Sequence, residues 1–478
     1  MHVDLEKLAI LPTWLRVLDE PEVVRAALVR SVPDFRSGGL LLRDVELERA
    51  RNKKGIWKVH YRLFGEDKDG KATVFLVAGS LHPPASHGLD GVFPSGTFGT
   101  DGWRAVVPDL GLVLATGAPD KELAAFPTLM GPDRARVILE HGLRAHSPYT
   151  DIRIRGCVPK LLRYKAGSRC TILYRLDYEP HSRDQRWPDA VVVKTYSGHK
   201  GRNAWDGMRE LWDSGLGQSS AVTIAEPLAF MADLNVLVQG PVPGDSSLHD
   251  VLVSALQSGS GTPMEGVRAL LGVTAGGLAA LHGCGVTYGE EVTWKDEIAD
   301  VNDKAGRLAG AAPGIEETLE AIFRPLEELA GLYPAQRPLP CHRSFRPHQV
   351  LIDNESVGFI DFDGFCHAEP ALDVALFRAT IKYVGMGEAA LPRGKEDLSS
   401  QEALVERLTT LDELCDLFLD EYEKLVPISR ERVALYESLA LLTNVLHCWM
   451  KVRPERLTGC VVALERHLVD RVMPMTGT

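Results

Sequence analysis

The chain has few of the features that mark the commonest functional classes. Its eight cysteines (157, 170, 284, 341, 366, 415, 448 and 460) are scattered, and no two form a CxxC. That spacing argues against a zinc knuckle or a compact disulfide framework and leaves buried small residues or surface thiols. No apolar run approaches the roughly 18 residues of a membrane span, so no membrane association is expected. The opening MHVDLEKLAILPTWL lacks a basic segment followed by a long apolar one, so the expectation is a cytoplasmic protein without a signal peptide. Basic residues are outnumbered, 53 Lys and Arg against 65 Asp and Glu, for a formal net charge of -12. This balance argues against a general nucleic-acid binder while leaving room for a local basic groove. GxxxxGK[ST] and GxSxG are missing, which removes two common enzyme classes, and no HExxH supports a metal-dependent hydrolase. What remains is ordinary globular composition, 45% hydrophobic and 25% charged, over 478 residues. A chain of that size supports two or three domains.

Three blocks are expected. Residues 1–150 are mixed α+β, with a helix over Glu20 to Arg30, strands around Trp57 to Leu63 and Thr73 to Ala78, and a Gly/Pro-rich loop from His82 to Gly102. Residues 151–244 are strand-rich. Residues 245–478 hold a flexible connection, Gln257 to Pro263, and then helical patterns over Val267 to His282, Ile315 to Leu332, Leu404 to Leu425 and Arg430 to Val452. There is also an internal echo. Arg51-Asn-Lys-Lys-Gly55, then KVHYRL and VFLVA, is similar to Arg163-Tyr-Lys-Ala-Gly167, then TILYRL and VVVKT. Residues 1–150 are therefore either a degenerate copy of the second block or an unrelated accessory domain. Under this pairing Lys194 corresponds to Ala78.

Four features carry chemistry, and their order matters more than any one of them. The hairpin Arg163 to Leu176 has Gly167 and Ser168 in its turn, where backbone N–H groups can approach phosphate oxygens; an ordinary hairpin turn is the alternative. AVVVKTY ends an apolar strand on Lys194. Sixteen residues later Glu210 lies in a helix-like segment, and a strand lysine paired with a helix glutamate can grip α- and β-phosphates. LNVLVQGP breaks at Gly240, so the backbone around Gln239 and Gly240 suits a hinge that reads an adenine edge. Last comes CHRSFRPHQVLIDNESVGFIDFDG, Cys341 to Gly364: a polar loop, an apolar run, and a second strand carrying Asp361 and Asp363. Acids at strand exits suit a divalent cation, which prefers oxygen ligands.

Together these residues resemble the aminoglycoside phosphotransferase and choline kinase-like superfamily, over roughly residues 150 to 478. The resemblance implies an α+β, bilobal protein-kinase-like fold, with a strand-rich N-lobe, a helical C-lobe and an additional N-terminal domain. The superfamily's H-x-D-x-x-x-x-N loop matches His342, Ser344 and Gln349. Its I-D-[FW]-[DE] metal loop matches Ile360 to Asp363, and its D-P-x-x-D segment matches Glu369-Pro370-Ala-Leu-Asp373. The resemblance implies ATP and Mg2+ as cofactors, with Gln349 and Asp361 as metal ligands and Asp373 as a brace for the loop. It departs from the pattern at Gln349, which stands in place of the metal-binding Asn and offers the same amide oxygen on a longer arm, and at Ser344, which stands where the catalytic Asp is found. A serine hydroxyl is not basic at neutral pH, and general-base assistance contributes about 10²–10⁴-fold.

Two functions follow. One is an ATP- and Mg-dependent phosphotransferase acting on a hydroxyl of a small molecule or peptide, its transfer step weakened or redirected, with Asp363 as a substitute carboxylate. The other is a pseudokinase, a nucleotide-binding scaffold working with a partner protein. A metal-dependent hydrolase built on His342, His348 and His367 is the third and weakest reading.

Overall fold

The computed structural model describes residues 5–67, 69–84, 94–116, 123–165, 167–179, 186–198, 200–258, 261–312, 314–387 and 401–476. Strands β1 (Leu40–Lys53) and β2 (Ile56–Asp67) form a long antiparallel hairpin. In β2, Trp57, Val59, Tyr61 and Leu63 are buried and alternate with more exposed residues, the period of a strand with one face in a core. Lys54 and Gly55 turn the hairpin at φ 55° and 80°. A two-residue turn of that hand matches the twist of the strands it joins. Strands β3 (Ala72–Leu81), β4 (Arg104–Val107) and β5 (Leu112–Thr116) complete a sheet of order β1-β2-β3-β5-β4. The expected loop from His82 to Gly102 lies partly outside the described residues.

The second sheet contains β6 (Ile154–Lys165), β7 (Arg169–Tyr178) and β8 (Ala190–Tyr196). After a short β9 (Thr223–Ile224), which joins another sheet, come β10 (Pro227–Met231) and β11 (Val236–Gln239). Its order is β6-β7-β8-β11-β10. Both sheets thus run first-second-third-fifth-fourth with every pair antiparallel. The echo in the sequence is a shared topology. Register also corrects the residue that matches Lys194. Lys194 pairs with Thr171, whose counterpart Lys58 pairs with Ser80, not Ala78.

The helix Pro132–His146, which falls within the expected first block, packs on the second sheet. Leu139 and Leu143 join Cys170, Ile172 and Tyr174 in one core, and the Tyr174 hydroxyl donates to the Leu129 carbonyl. The first sheet shares its core with the helices that follow residue 245. Trp57 Nε1 donates to the Trp449 carbonyl at 3.1 Å, and Trp449 Nε1 donates to the Leu8 carbonyl at 2.9 Å.

The helical region includes Leu248–Ser258, Thr262–His282, Trp294–Gly306, Ile315–Leu332, Ala371–Gly385, Gln401–Glu423, Arg430–Lys451 and Pro454–His467. Thr262–His282 has the length and apolarity of a membrane span, but buries Val267, Leu271, Ala275 and Leu278 among its neighbours. Between these helices lie two small sheets. One joins β12 (Ser246–Ser247), β14 (Val350–Asp353), β15 (Ser356–Phe359) and β9, and the other pairs β13 (Leu339–Cys341) with β16 (Cys366–Ala368). The whole is the expected α+β, bilobal kinase-like arrangement behind an extra N-terminal sheet.

Trp57 is fully buried and fastens the first sheet to the helix Arg430–Lys451. Trp57→Ala is expected to cost about 3–5 kcal/mol by leaving a cavity. Trp57→Phe should cost about 1 kcal/mol for the hydrogen bond. Urea denaturation of the full chain checks both.

Candidate active site

Lys194 lies near the end of β8, after the valines that bury that strand. Alternation along β7 and β8 gives Arg169, Thr171, Lys194 and Tyr196 one common face, because Arg169 pairs with Tyr196 and Thr171 with Lys194. That face meets the second acidic loop. FIDFD is not the expected strand. β15 stops at Phe359, Asp361 takes a left-handed backbone at φ 75°, and Phe362–Gly364 form a short 3-10 turn. Such a conformation is strained for a residue with a Cβ and persists only where surrounding contacts hold it.

Those contacts are ionic. Lys194 Nζ lies 2.9 Å from Asp361 Oδ1 and 3.2 Å from Asp363 Oδ1. Arg169 donates to Asp361 through both terminal nitrogens, at 2.8 and 2.9 Å, and to Asp363 at 2.6 Å. The Tyr196 hydroxyl donates to Asp363 Oδ1 at 2.9 Å. Only 8% of the Lys194 side chain and 15% of the Asp361 side chain are exposed. Burial pushes the Asp361 carboxyl up, but Lys194 and Arg169 overcome it and hold the group well below the usual carboxylate range. Burial lowers Lys194, and the two aspartates more than reverse that. The same burial, together with Asp363, raises the Tyr196 phenol well above its ordinary value.

The catalytic-type loop is braced from below. Asp373 Oδ2 accepts the His342 backbone N–H at 2.6 Å and lies 3.3 Å from His282 Nε2; His282 Nδ1 meets the Tyr422 hydroxyl at 2.6 Å. His282, Cys341 and Asp373 bring their ligand atoms within 4.8 Å, but each is held in this hydrogen-bonded brace. The side chain of His342 is buried and lies with Nε2 3.0 Å from the Ile360 carbonyl, so that nitrogen carries the proton and Nδ1 accepts. The Ser344 hydroxyl, 3.2 Å away, donates to Nδ1, while Gln349 Nε2 donates to Ser344 Oγ at 3.2 Å. Gln349 Oε1 is buried with no hydrogen-bond partner among the described residues. An unpartnered amide oxygen and a carboxylate are donors that a hard divalent cation takes, so Gln349 and Asp361 would suit Mg2+ if Arg169 gave up its hold on Asp361.

Several expectations need correction. Lys194 does not pair with Glu210, which is exposed on the helix Lys200–Asp213; the ammonium bonds Asp361 and Asp363 instead. That helix meets the loop through Asn203, whose Nδ2 approaches the Asp363 and Phe365 carbonyls, and through Gly207 against the Phe365 ring. Asp363 is no free base, because Arg169, Lys194 and Tyr196 occupy its oxygens. At the hinge, the Gly240 N–H is spent on the Glu226 carbonyl at 2.8 Å and Pro241 has none, so Val242 is the next backbone donor. Gln239 is buried, with its Oε1 unpartnered among the described residues. The Gly167–Ser168 turn is tied down, the Ser168 carbonyl accepting from the Ser197 N–H at 2.8 Å. The histidines of the hydrolase reading do not converge. His342 faces the Ile360 carbonyl, His367 the Val286 carbonyl, and His348 stacks on His249.

Sequence reasoning missed Arg169, Tyr196 and Arg346. Strand alternation from Lys194 would have found the first two.

The fold and this site define a kinase-like class of protein. Residues 219–395 match the model of the phosphotransferase enzyme family, so the resemblance holds over the segment that carries both loops. Among curated proteins none matches. A glucosamine kinase in complex with glucosamine, ADP and inorganic phosphate is 15% identical, with 96% of this chain and 99% of that one covered and a TM-score of 0.45. A choline/ethanolamine kinase family protein from Mesorhizobium loti is 14% identical, with 71% and 99% covered and a TM-score of 0.44. Choline kinase from Cryptosporidium parvum Iowa II is 11% identical, with 71% and 96% covered and a TM-score of 0.46.

A carboxylate with a depressed folded pKa stabilises the fold above its unfolded pKa, and that contribution is lost as pH falls towards the folded value. The stability gap between the native chain and Asp361→Asn should therefore be constant above about pH 5 and shrink by about 1 kcal/mol near pH 3. Denaturation at several pH values measures this.

Proposed function

We propose that the chain is an ATP- and Mg2+-dependent phosphotransferase acting on a hydroxyl of a small molecule. The observation that carries this is the buried contact between Lys194 of the strand-rich lobe and Asp361 of the helical lobe, 2.9 Å apart, facing a loop that ends in Gln349. The family match over residues 219–395 supports it. Bound ATP with its cation supplies the phosphoryl group and the charge that neutralises it. The chain's residues do the rest. Lys194 orients phosphate oxygens, and Gln349 and Asp361 hold the cation. Ser344 Oγ takes the proton of the acceptor hydroxyl as its own proton moves to His342 Nδ1.

This relay is weaker than a carboxylate, because it places a second proton on a buried imidazole with no carboxylate at Nδ1. Transfer through a loose transition state depends mainly on positioning and charge stabilisation, so a weaker base slows it without abolishing it. Localisation in the cytoplasm belongs to the same reading.

A pseudokinase is the second reading, and Arg169 favours it. Its guanidinium holds both acids that a cation would use, so nucleotide and metal must displace it.

Product formation with ATP, Mg2+ and a panel of hydroxyl acceptors separates the two. The enzyme reading predicts slow turnover in the native chain, none in Asp361→Ala, a further fall in Ser344→Ala, and a gain of roughly 10²-fold in Ser344→Asp. No turnover in the native chain, with turnover appearing in Arg169→Ala or Ser344→Asp, identifies the pseudokinase.

A further inference from the structure

The two echoed hairpins bring their basic residues to one place. Arg49 and Arg51 lie on β1 just before the first turn, and Arg163 and Lys165 on β6 just before the second. Arg346 follows Ser344 in the braced loop. Lys451 ends the helix Arg430–Lys451, onto which Trp57 fastens the first hairpin. These side chains act on one another. Arg49, Arg51 and Arg163 all bear on Lys165; Arg163 bears on Arg346; Arg346 and Arg51 bear on Lys451. Among the described residues none of the six forms an ion pair with a carboxylate. Elsewhere, Arg43, Arg62, Arg155 and Arg430 each hold a glutamate or aspartate. Burial and then this crowding of like charge lower Lys165 to about 8, and burial with Lys451 drives the neighbouring His447 down to about 3. A chain with net charge -12 has acids to spare, yet only Glu48 acts on Arg49 and Asp361 on Arg346, neither as an ion pair. Self-repulsion of that kind opposes folding until an anion offsets it.

We propose that the cluster of basic side chains at the two hairpin tips binds a phosphate group on the acceptor, making the substrate a phosphate-bearing small molecule with a free hydroxyl. This rests on the phosphotransferase reading above. Guanidinium forks suit phosphate oxygens. Arg346 links the two halves of the site, since Asp361 acts on it from one side and it acts on Lys451 on the other. Arg49, Arg51 and Lys451 come from the first sheet and the helix beneath it, outside the elements that hold Lys194 and Asp361. They therefore serve the acceptor rather than the nucleotide. The topology shared by the two sheets gains a purpose: the first copy has no lysine in the place of Lys194, but it keeps a cationic hairpin and adds it to the same cluster.

The test is calorimetric titration of glycerol 3-phosphate into the full chain, with and without saturating ATP and Mg2+, beside glycerol and inorganic phosphate. Arg51→Glu and Lys451→Glu are the variants. Both side chains are exposed, and thermal melting confirms their folding. Glycerol 3-phosphate should bind, glycerol should not, and inorganic phosphate should compete. Each charge reversal should weaken binding roughly tenfold or more, with affinity falling as salt rises and ATP binding unchanged. Binding that is equal for glycerol, or untouched by both reversals, overturns the proposal. Because the titration without nucleotide stands alone, a native chain that ignores ATP but binds glycerol 3-phosphate in this pattern rejects the phosphotransferase reading while leaving the anion site in place.

Discussion

Two carboxylates from the helical lobe, Asp361 and Asp363, are held by two cations from the strand-rich lobe, and the rest of the site is arranged around that knot. Buried ion pairs are not free stability, since each charge loses its hydration, but removing one partner leaves an uncompensated charge and costs about 3–5 kcal/mol. The knot therefore specifies geometry. It explains the left-handed backbone at Asp361, the closure of the Gly167–Ser168 hairpin through Arg169, and the register that sets Lys194 opposite the loop. It also fixes what a ligand must do. On the proposed function, a nucleotide with its cation would have to replace the contacts in which Asp361 and Asp363 neutralise Lys194 and Arg169.

Around this knot the two proposed halves of the site differ in what they offer. Lys194, Asp361 and the unpartnered amide oxygen of Gln349 suit nucleotide and metal. The acceptor side differs. Ser344 leans on His342 Nδ1, and Arg346 extends the loop towards other basic side chains. The proposed phosphate-bearing acceptor would connect the two features, because the basic cluster would anchor it while a weak base only has to move one proton.

Much of this was legible in the sequence where short-range pattern decides structure. The helix Ile315–Leu332 falls where its spacing predicts, and β2 and β3 cover the predicted strands. Lys194, Asp361 and Asp363 each stand out in their own motif, and the fold brings them together. The failures are of a different kind. The choice of Glu210 over Asn203 depended on which face of one helix turns inward, and Gly201, Ala204, Gly207 and Met208 set that face. Arg169 was invisible as a lone arginine after a turn until strand register placed it beside Tyr196. The packing of Pro132–His146 on the second sheet is a tertiary preference that amphipathicity alone does not assign. The basic cluster lay hidden in an overall acidic composition, because net charge says nothing about where charges meet.

The account turns on one claim, that the Lys194–Asp361 knot is a nucleotide and metal site. Calorimetric titration of ATP into the native chain, with and without Mg2+, tests it most directly. The account predicts saturable binding that tightens when Mg2+ is present and is lost in Lys194→Ala. Absence of binding under both conditions, or binding indifferent to Mg2+ and to Lys194, would contradict it.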